Sequence, residues 1–257
     1  MKYPLISHEL PKSLESEQHL INDYVFALLH KAIEDKEYLD SIIKYKEQGG
    51  FVILDNSCFE LGASLDNNLL YEYYLKVKPD VVVLPDVLGN YSLTSKRTTA
   101  FLKDYPETLP HAMAVIQGSS VNQMIDCYCD FAKLGVKWIG IPFVYSWVNK
   151  DPTEQTDERI RLLNILKNYV SHDISHHLLG TWQAREFAEY HYFDWIKSID
   201  TSNPIMAALD GIRYGEYGID EKPKMTFDKA YGLKKEEIDM ELLYYNVERF
   251  RKIAKRG

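Results

Sequence analysis

Cysteine is scarce in this sequence of 257 residues, which contains only Cys58, Cys127 and Cys129. An odd number of cysteines at these spacings matches neither a disulfide framework nor the paired Cys-x-x-Cys pattern of a zinc site. Long apolar runs are missing as well, since no stretch reaches the roughly 18 residues that a membrane span needs. The start of the chain also lacks the apolar core of a signal peptide. These absences predict a cytoplasmic protein in a reducing environment, without a membrane partner.

Several motifs of common enzyme classes are absent too. The sequence has no Gly-x-Gly-x-x-Gly or P-loop pattern, no Gly-x-Ser-x-Gly elbow and no His-x-His metal pair. Nucleotide-binding folds and serine hydrolases are therefore disfavoured. The adjacent His176 and His177 could act as ligands, but we expect one of them to pack in the core and the other to face solvent.

The net charge of −8 argues against a general nucleic-acid coat, although a local basic face remains compatible with it. The basic tail from Arg249 to Arg256 is one candidate for such a face, and a helix end that complements its own dipole explains it equally well. An apolar content of 46% and a charged content of 26% are typical of a globular protein with a sizeable core. No low-complexity stretch or Gly/Ser linker divides the sequence, so we predict a single domain.

Short apolar runs alternate with amphipathic segments along the chain. The runs are Val25–His30, Phe51–Asp55, Val81–Asp86, Ala112–Gln117, Trp138–Phe143, His177–Gly180 and Trp195–Asp200. The helix-like segments between them are Lys36–Lys46, Leu69–Lys76, Val121–Leu134, Asp157–Tyr169 and Gln183–Tyr192. Continuous apolar strands indicate a parallel sheet that is buried on both faces.

This alternation predicts an α/β fold, a TIM-type (β/α)8 barrel that occupies residues 1–257 as one domain. The core is expected over about residues 20–232 and a C-terminal helix over about 234–256. Seven strands are evident, and the eighth is either Tyr3–Ser7 or Lys224–Phe227. A doubly wound open sheet is the alternative.

Polar residues follow several of the predicted strands directly, namely Asp55, Asp86, Gln117 and Asp200. Any one of the acidic residues could simply cap the next helix. In a β/α barrel, however, all strand ends open onto one face, where catalytic groups gather. Two carboxylates on such a rim suit displacement at a sugar carbon, in which one attacks and the other moves a proton.

Six short motifs occur in an order that resembles the tRNA-guanine transglycosylase superfamily. The closest likeness is to the phage and bacterial enzymes that insert 7-deazaguanines into DNA. The motifs are Leu54–Glu60, Leu84–Asp86, Val115–Gly118, Ile139–Pro142, His177–Gly180 and Ser198–Pro204. They cover the chain from about Val25 to Gly218 as separate segments.

The resemblance implies a role for each residue of the rim. Asp200 would be the nucleophile and Asp55 the general acid/base, while Asp86 would read the guanine edge and Gln117 the base carbonyl. Phe59 and Leu179 would cover the two faces of the base. Further substrate-binding residues would be Asn56, Gly118, Gly140, Ile141 and Gly180. Candidate phosphate contacts are Arg213, Lys222 and Lys224.

Three departures from the superfamily pattern bear on the substrate. The tRNA enzymes carry a Cys-rich zinc site near the C-terminus, whereas no cysteine follows Cys129 here. A Thr-Arg pair after the nucleophile is replaced by Ile205-Met206, and a Gly-Gly pair by Ser57-Cys58. The barrel is therefore expected to lack the C-terminal zinc subdomain and to act on DNA.

The predicted function is exchange of guanine in DNA for a 7-deazaguanine derivative, through a covalent bond between Asp200 and the sugar. The implied partners are DNA and a small 7-deazaguanine base, with no metal and no cofactor. The compartment would be the cytoplasm, that of the host if a phage encodes the chain. Alternatives are the same exchange on tRNA, a hydrolase that removes a base or cleaves a small nucleoside, and a catalytically inactive barrel that binds nucleic acid or a partner.

Overall fold

The computed structural model describes residues 4–181, 183–219 and 221–255. Eight parallel strands form one sheet that curls into a nearly closed barrel, in the order β1-β8-β7-β6-β5-β4-β3-β2. The strands are β1 Leu5–Ser7, β2 Val25–Leu28, β3 Val52–Asp55, β4 Val81–Val83, β5 Ala112–Val115, β6 Trp138–Ile141, β7 Ser175–Leu178 and β8 Ile196–Asp200. The prediction of a single-domain TIM-type (β/α)8 barrel is confirmed.

Of the two segments that the sequence offered for the eighth strand, the N-terminal one forms it, as β1. It pairs in parallel with β8, where Ser7 lies opposite Asp200. On its other side the backbone N–H of Asp23 donates to the carbonyl of Ile6 at 2.9 Å, and that of Phe26 to Oγ of Ser7 at 3.2 Å. The barrel therefore starts earlier than the predicted core boundary near residue 20. Tyr3 of the predicted strand lies outside the described residues.

The other candidate, Lys224–Phe227, contains no strand, since its last residue begins a helix instead. The helices are α1 Gln18–Ile21, α2 Leu29–Glu34, α3 Lys36–Glu47, α4 Cys58–Leu61, α5 Asn67–Val77, α6 Tyr91–Asp104, α7 Val121–Leu134, α8 Pro152–Leu166, α9 Asn203–Leu209, α10 Phe227–Tyr231 and α11 Met240–Ala254. Segments of 3₁₀ helix occupy Lys12–Glu17, Pro106–His111, Ala184–Tyr192 and Lys235–Glu237. Arg256, at the end of the predicted C-terminal helix, lies outside the described residues.

Polar side chains fix where the longer helices begin. Asp35, Asp66, Ser120, Asp151 and Asp239 each accept a hydrogen bond from a backbone N–H in the first turn of the following helix. Such caps pair donors that the first turn leaves without an intrahelical partner. No helix in the described part of the chain is both long and apolar enough to cross a membrane.

Side chains of the strands alternate between two apolar layers. Ala114 and Ile139 pack outward with the surrounding helices, whereas Ile53, Val83 and Met113 fill the inside of the barrel. Both layers are buried, which explains why the strands read as continuous apolar runs. The interior layer forms the floor on which the functional site lies.

Candidate active site

A cavity of about 670 Å³ opens at the carboxyl ends of the strands. This is the end of a β/α barrel at which active sites lie. Ten of the residues singled out from the sequence line it, namely Asp55, Asn56, Phe59, Asp86, Gln117, Leu179, Gly180, Asp200, Lys222 and Lys224. The fold thus brings together residues that lie up to 169 positions apart, from 55 to 224.

Asp86 is buried on the cavity wall and is held by two side-chain amides. Nδ2 of Asn56 donates to its Oδ1 at 3.0 Å, and Nε2 of Gln117 donates to its Oδ2 at 2.7 Å. Burial raises the pKa of Asp86, while these hydrogen bonds oppose that rise. The hydroxyl of Ser64 donates to the backbone carbonyl of Asp86 at 2.6 Å, so the segment is fixed by its main chain as well.

The two amides have different capacities left for a ligand. Asn56 also donates from Nδ2 to the carbonyl of Leu84 at 2.6 Å, so both of its amide hydrogens are used. Its Oδ1 accepts from the N–H of Cys58, and the side chain therefore positions Asp86. Gln117 accepts at Oε1 from the N–H of Gly89 at 2.9 Å. Its amide nitrogen carries two hydrogens, and the bond to Asp86 uses only one of them.

Asp55 ends β3 and is almost completely buried. Its Oδ2 accepts from the backbone N–H of Ser57 at 2.6 Å. Burial raises the pKa of Asp55 well above its ordinary value, and repulsion from Glu60, Asp86 and Asp200 raises it further. The folded cavity therefore favours the neutral carboxylic acid at this position.

Asp200 ends β8 and contributes a carboxyl group with two differently placed oxygens. Its Oδ1 lies 2.9 Å from Nε2 of His177 and accepts from the backbone N–H of Gly180 at 3.1 Å. Gly180 has a positive φ of 60°, a region that glycine enters without steric cost. The turn after β7 can therefore aim its N–H at the carboxyl group.

The expectation that one of the adjacent histidines faces solvent is wrong, because His176 and His177 both have 0% exposure. Neighbouring residues of a strand point to opposite sides, and both sides of this sheet are covered. His176 points to the outer layer, where Nε2 lies 2.9 Å from the hydroxyl of Tyr128. His177 points into the barrel and contacts Asp200. The alternation of side chains along a strand could have predicted this, because it places His177 on the same face as Leu179, the residue predicted to cover the base.

Apolar side chains border the cavity on several sides. Phe59 is 60% exposed at its mouth, and Leu179 lines it from the turn after β7. Gly140 lies below, where an added Cβ would come within 3.2 Å of Leu179, Met113 and Val115. The lack of a side chain at Gly140 thus lets these three pack together.

Four of the predicted residues do not line the cavity, namely Gly140, which lies below it, and Ile141, Gly118 and Arg213. Ile141 is fully buried and packs in the outer layer. Gly118 lies where an added Cβ would be 2.8 Å from Cβ of Gln123, which indicates close packing onto the first turn of α7. Arg213 is exposed, with its guanidinium 3.5 Å from the ring centre of Tyr245. Lys222 and Lys224 are exposed residues at the cavity edge.

Neither Cys58 nor Cys127 is an activated nucleophile. Cys58 lines the cavity, but burial raises the pKa of its thiol to about 12. Burial also raises the pKa of the Cys127 thiol to about 12. Cys127 and Cys129 lie in α7, within the segment predicted to be helical. Among the residues that the structure describes, no three His, Cys, Asp or Glu side chains are arranged to hold a metal ion.

No protein-family model matches the chain, and no curated protein matches its sequence. The chemistry of the cavity must therefore be inferred from its own groups. It offers a buried carboxyl group with a raised pKa, a second carboxyl group with one oxygen held by donors, and an Asp–Gln pair suited to a polar ring edge. Such a set can bind a flat polar molecule and exchange a group by displacement.

Proposed function

We propose that this chain is a transglycosylase that replaces guanine in DNA with a 7-deazaguanine derivative. The observation that carries the proposal is the position of two carboxyl groups, Asp55 and Asp200, in one cavity with the hydrogen-bonded pair of Asp86 and Gln117. The motif order that resembles the tRNA-guanine transglycosylases supports the same assignment.

Recognition of a purine follows from the donors and acceptors on the cavity wall. Guanine presents N1–H and a 2-amino group beside the O6 acceptor. Asp86 can accept from the two donors, because each carboxylate oxygen has lone pairs beyond those used by Asn56 and Gln117. The remaining amide hydrogen of Gln117 can serve O6. A base from a duplex must first leave the stack to reach this site.

The first half of the exchange forms a covalent intermediate. The Asp200 carboxylate attacks C1′ of the sugar, a C–O bond forms and the C1′–N9 bond breaks. The electron pair of that bond moves to guanine, which takes a proton from the neutral carboxyl of Asp55 and leaves. The raised pKa of Asp55 supports its role as the acid in this step.

The second half reverses the roles. Asp55, now a carboxylate, accepts the N9 proton of the incoming 7-deazaguanine. N9 attacks C1′, and the ester bond to Asp200 breaks with its electron pair on the carboxylate. Both carboxyl groups return to their starting states, so the cycle repeats without an added proton or electron.

Ser57 bears on the likeness to the superfamily, whose first motif has glycine at the matching place. Ser57 has a φ of 58°, the left-handed conformation that glycine adopts most easily. Its Oγ accepts from the N–H of His30 at 3.1 Å, a contact that ties the strained turn to α2. The backbone shape of a glycine segment thus occurs here with a serine.

The test is incorporation of a radiolabelled 7-deazaguanine into guanine-containing DNA, with tRNA offered in parallel. We expect label in DNA, and we expect Asp200→Asn to reduce it at least about 1000-fold, as removal of a covalent nucleophile does. Asp55→Asn should also lose most activity. Asp40→Asn is the matched control, because Asp40 is an exposed carboxylate on α3 whose ion pair is with Lys36 on the same helix.

Other outcomes identify the competing functions. Label in tRNA alone would indicate the tRNA enzyme, and guanine released without an incoming base would indicate a hydrolase. Binding of DNA without incorporation, unchanged in the Asp55→Asn/Asp200→Asn double variant, would indicate an inactive nucleic-acid-binding barrel. Full activity in Asp200→Asn would overturn the covalent mechanism.

A further inference from the structure

His177 forms a buried bridge between two residues of the neighbouring strand. Its Nδ1 lies 2.8 Å from Oγ of Ser198 and its Nε2 lies 2.9 Å from Oδ1 of Asp200. His177 and Ser198 are fully buried, and the Asp200 side chain is only 10% exposed. Both nitrogens of one imidazole are therefore engaged inside the barrel.

Aromatic neighbours fix the plane of this imidazole. The ring of Phe26 stacks on it, with the ring centres 5.3 Å apart and the planes 9° from parallel. The ring of Tyr24 meets its edge at 6.4 Å and 84°. The hydroxyl of Tyr24 donates to the carbonyl of Ile199 at 2.8 Å, so it too is held. The imidazole cannot turn away from Asp200 without displacing these rings.

The partners determine where the imidazole proton lies. An ionised carboxylate only accepts, so Nε2 must carry a hydrogen to bond Asp200. In the neutral ring Nδ1 then has a lone pair, which can accept the hydroxyl hydrogen of Ser198. The hydrogen bond from Nε2 to Asp200 thus determines that Nδ1 is the nitrogen without a hydrogen.

Among the described residues, hydrogen-bond donors reach one oxygen of Asp200, the nucleophile proposed above. Nε2–H of His177 and N–H of Gly180 both point to Oδ1 of Asp200. Oδ2 is left for the reaction. When the ester to the sugar breaks in the second half of the exchange, negative charge returns to the carboxyl group. Two donors already placed on Oδ1 stabilise that charge without rearrangement.

We propose that His177, in the tautomer with its hydrogen on Nε2, is a positioning residue that holds Oδ1 of Asp200 together with Gly180 and so makes Oδ2 the attacking oxygen. The proposal rests on the proposed function for the identity of the reaction. The hydrogen-bond arrangement can be tested apart from that reaction.

Replacing His177 by each of two side-chain amides distinguishes a role in positioning Asp200 from a role in packing alone. In His177→Gln the amide nitrogen reaches the place of Nε2, whereas in His177→Asn it reaches only the place of Nδ1. We expect His177→Asn to lower kcat about 10-fold or more, with KM for the base within about 2-fold, as loss of one preorganised donor does. His177→Gln should recover most of kcat. His176→Gln is the control, because it alters an equally buried histidine of β7 that contacts Tyr128 instead of the site.

The protonation pattern is measured directly by ¹⁵N NMR of histidine-labelled protein. We expect His177 to show a protonated Nε2 and an unprotonated Nδ1, and Ser198→Ala to shift it towards a mixture of forms. A protonated Nδ1 in the unsubstituted protein would overturn the proposal. So would a kcat for His177→Asn equal to that of His176→Gln in protein that exchanges bases. If no exchange occurs at all, the proposed function fails, and the NMR spectrum still decides whether His177 donates to Asp200.

Discussion

At the scale of single residues, the folded protein disfavours ionisation of the Asp55 carboxyl group. It is buried, and Glu60, Asp86 and Asp200 all raise its pKa further. The folded state therefore holds a proton here that the unfolded chain releases above about pH 4. Stability is lost as pH rises from that value through the raised pKa of the folded state, because the native state binds more protons than the unfolded state. A group suited to acid catalysis is thus a source of instability at neutral pH.

We predict that Asp55→Asn increases the free energy of unfolding at neutral pH while it removes exchange activity. The amide has no charge to desolvate, and its oxygen can still accept from Ser57. The gain in the free energy of unfolding should be near zero below about pH 4 and grow as pH rises. It should level off above the folded-state pKa, at about 1.4 kcal/mol for each unit by which folding raises the pKa of Asp55. Urea denaturation across pH measures it, with Asp40→Asn as the exposed control. A gain independent of pH would contradict the raised pKa.

Residues at strand ends were predictable from the sequence, but their partners were not. Asp55 and Asp200 end apolar runs, and that position alone puts them on the rim of a barrel. The bond from His177 to Asp200 depends on the lateral register of β7 against β8, where His177 lies opposite Ser198. The register between two strands that a connecting segment separates leaves no local pattern in the sequence. For the same reason, the sequence did not reveal that both amide hydrogens of Asn56 are used by Leu84 and Asp86.

At the scale of elements, a buried ion pair holds the turn that follows β7. Arg159 on α8 bonds Glu186 through Nε at 2.5 Å and Nη2 at 3.1 Å, and both side chains are fully buried. The same guanidinium donates to the carbonyls of Leu179 at 2.8 Å and Gly180 at 2.6 Å. Glu186 also accepts from the hydroxyl of Thr181 at 2.7 Å. Arg159 thus fixes the two peptide groups that present Leu179 to the cavity and the Gly180 N–H to Asp200.

We predict that Arg159→Met lowers the free energy of unfolding by about 3–5 kcal/mol, because it leaves the buried Glu186 carboxylate without a cation. Adding Glu186→Gln removes that charge and should restore most of the stability. The carbonyls of Leu179 and Gly180 still lack their donor in the double variant. We therefore expect its kcat/KM for base exchange to stay about 10-fold below that of the unsubstituted protein. Thermal unfolding and exchange assays on both variants measure this, and a double variant with full activity would show that the clamp serves stability alone.

Elements with strong local signals were predicted well. The helix Val121–Leu134 has the predicted bounds, because Ser120 caps its start and Gly135, with a φ of 80°, ends it. The segment Gln183–Tyr192 was expected to be helical and contains the 3₁₀ helix Ala184–Tyr192. The strand Leu5–Ser7 is too short for a periodic signal, and its pairing with β8 spans almost 200 residues. Only barrel closure identifies it.

At the scale of the whole molecule, the first and last strands of the barrel pair beside Asp200. Ser7 of β1 lies opposite Asp200, and the N–H of Thr201 donates to the carbonyl of Ser7 at 2.9 Å. The seam between β1 and β2 is tied by Asp23. Its Oδ2 accepts from the N–H of Ile6 at 2.9 Å, and its carboxylate accepts from Nη1 of Arg251 on α11 at 2.9 and 3.0 Å. One carboxylate therefore joins the first strand, the seam and the last helix.

We predict that Asp23→Ala lowers the free energy of unfolding by about 1–3 kcal/mol, since it removes the acceptor of the Ile6 N–H and of Nη1 of Arg251. Hydrogen exchange should accelerate first at amides of β1 and at Thr201, before the amides of β4 and β5 on the opposite side of the barrel respond. Asp40→Ala supplies the control, because its carboxylate pairs with Lys36 on an exposed face and should change the free energy by less than about 0.5 kcal/mol. Equal unfolding curves for the two variants would mean that the seam closes without Asp23. Uniform acceleration across all strands would mean that the barrel opens only as a whole, with no weaker seam beside Asp200.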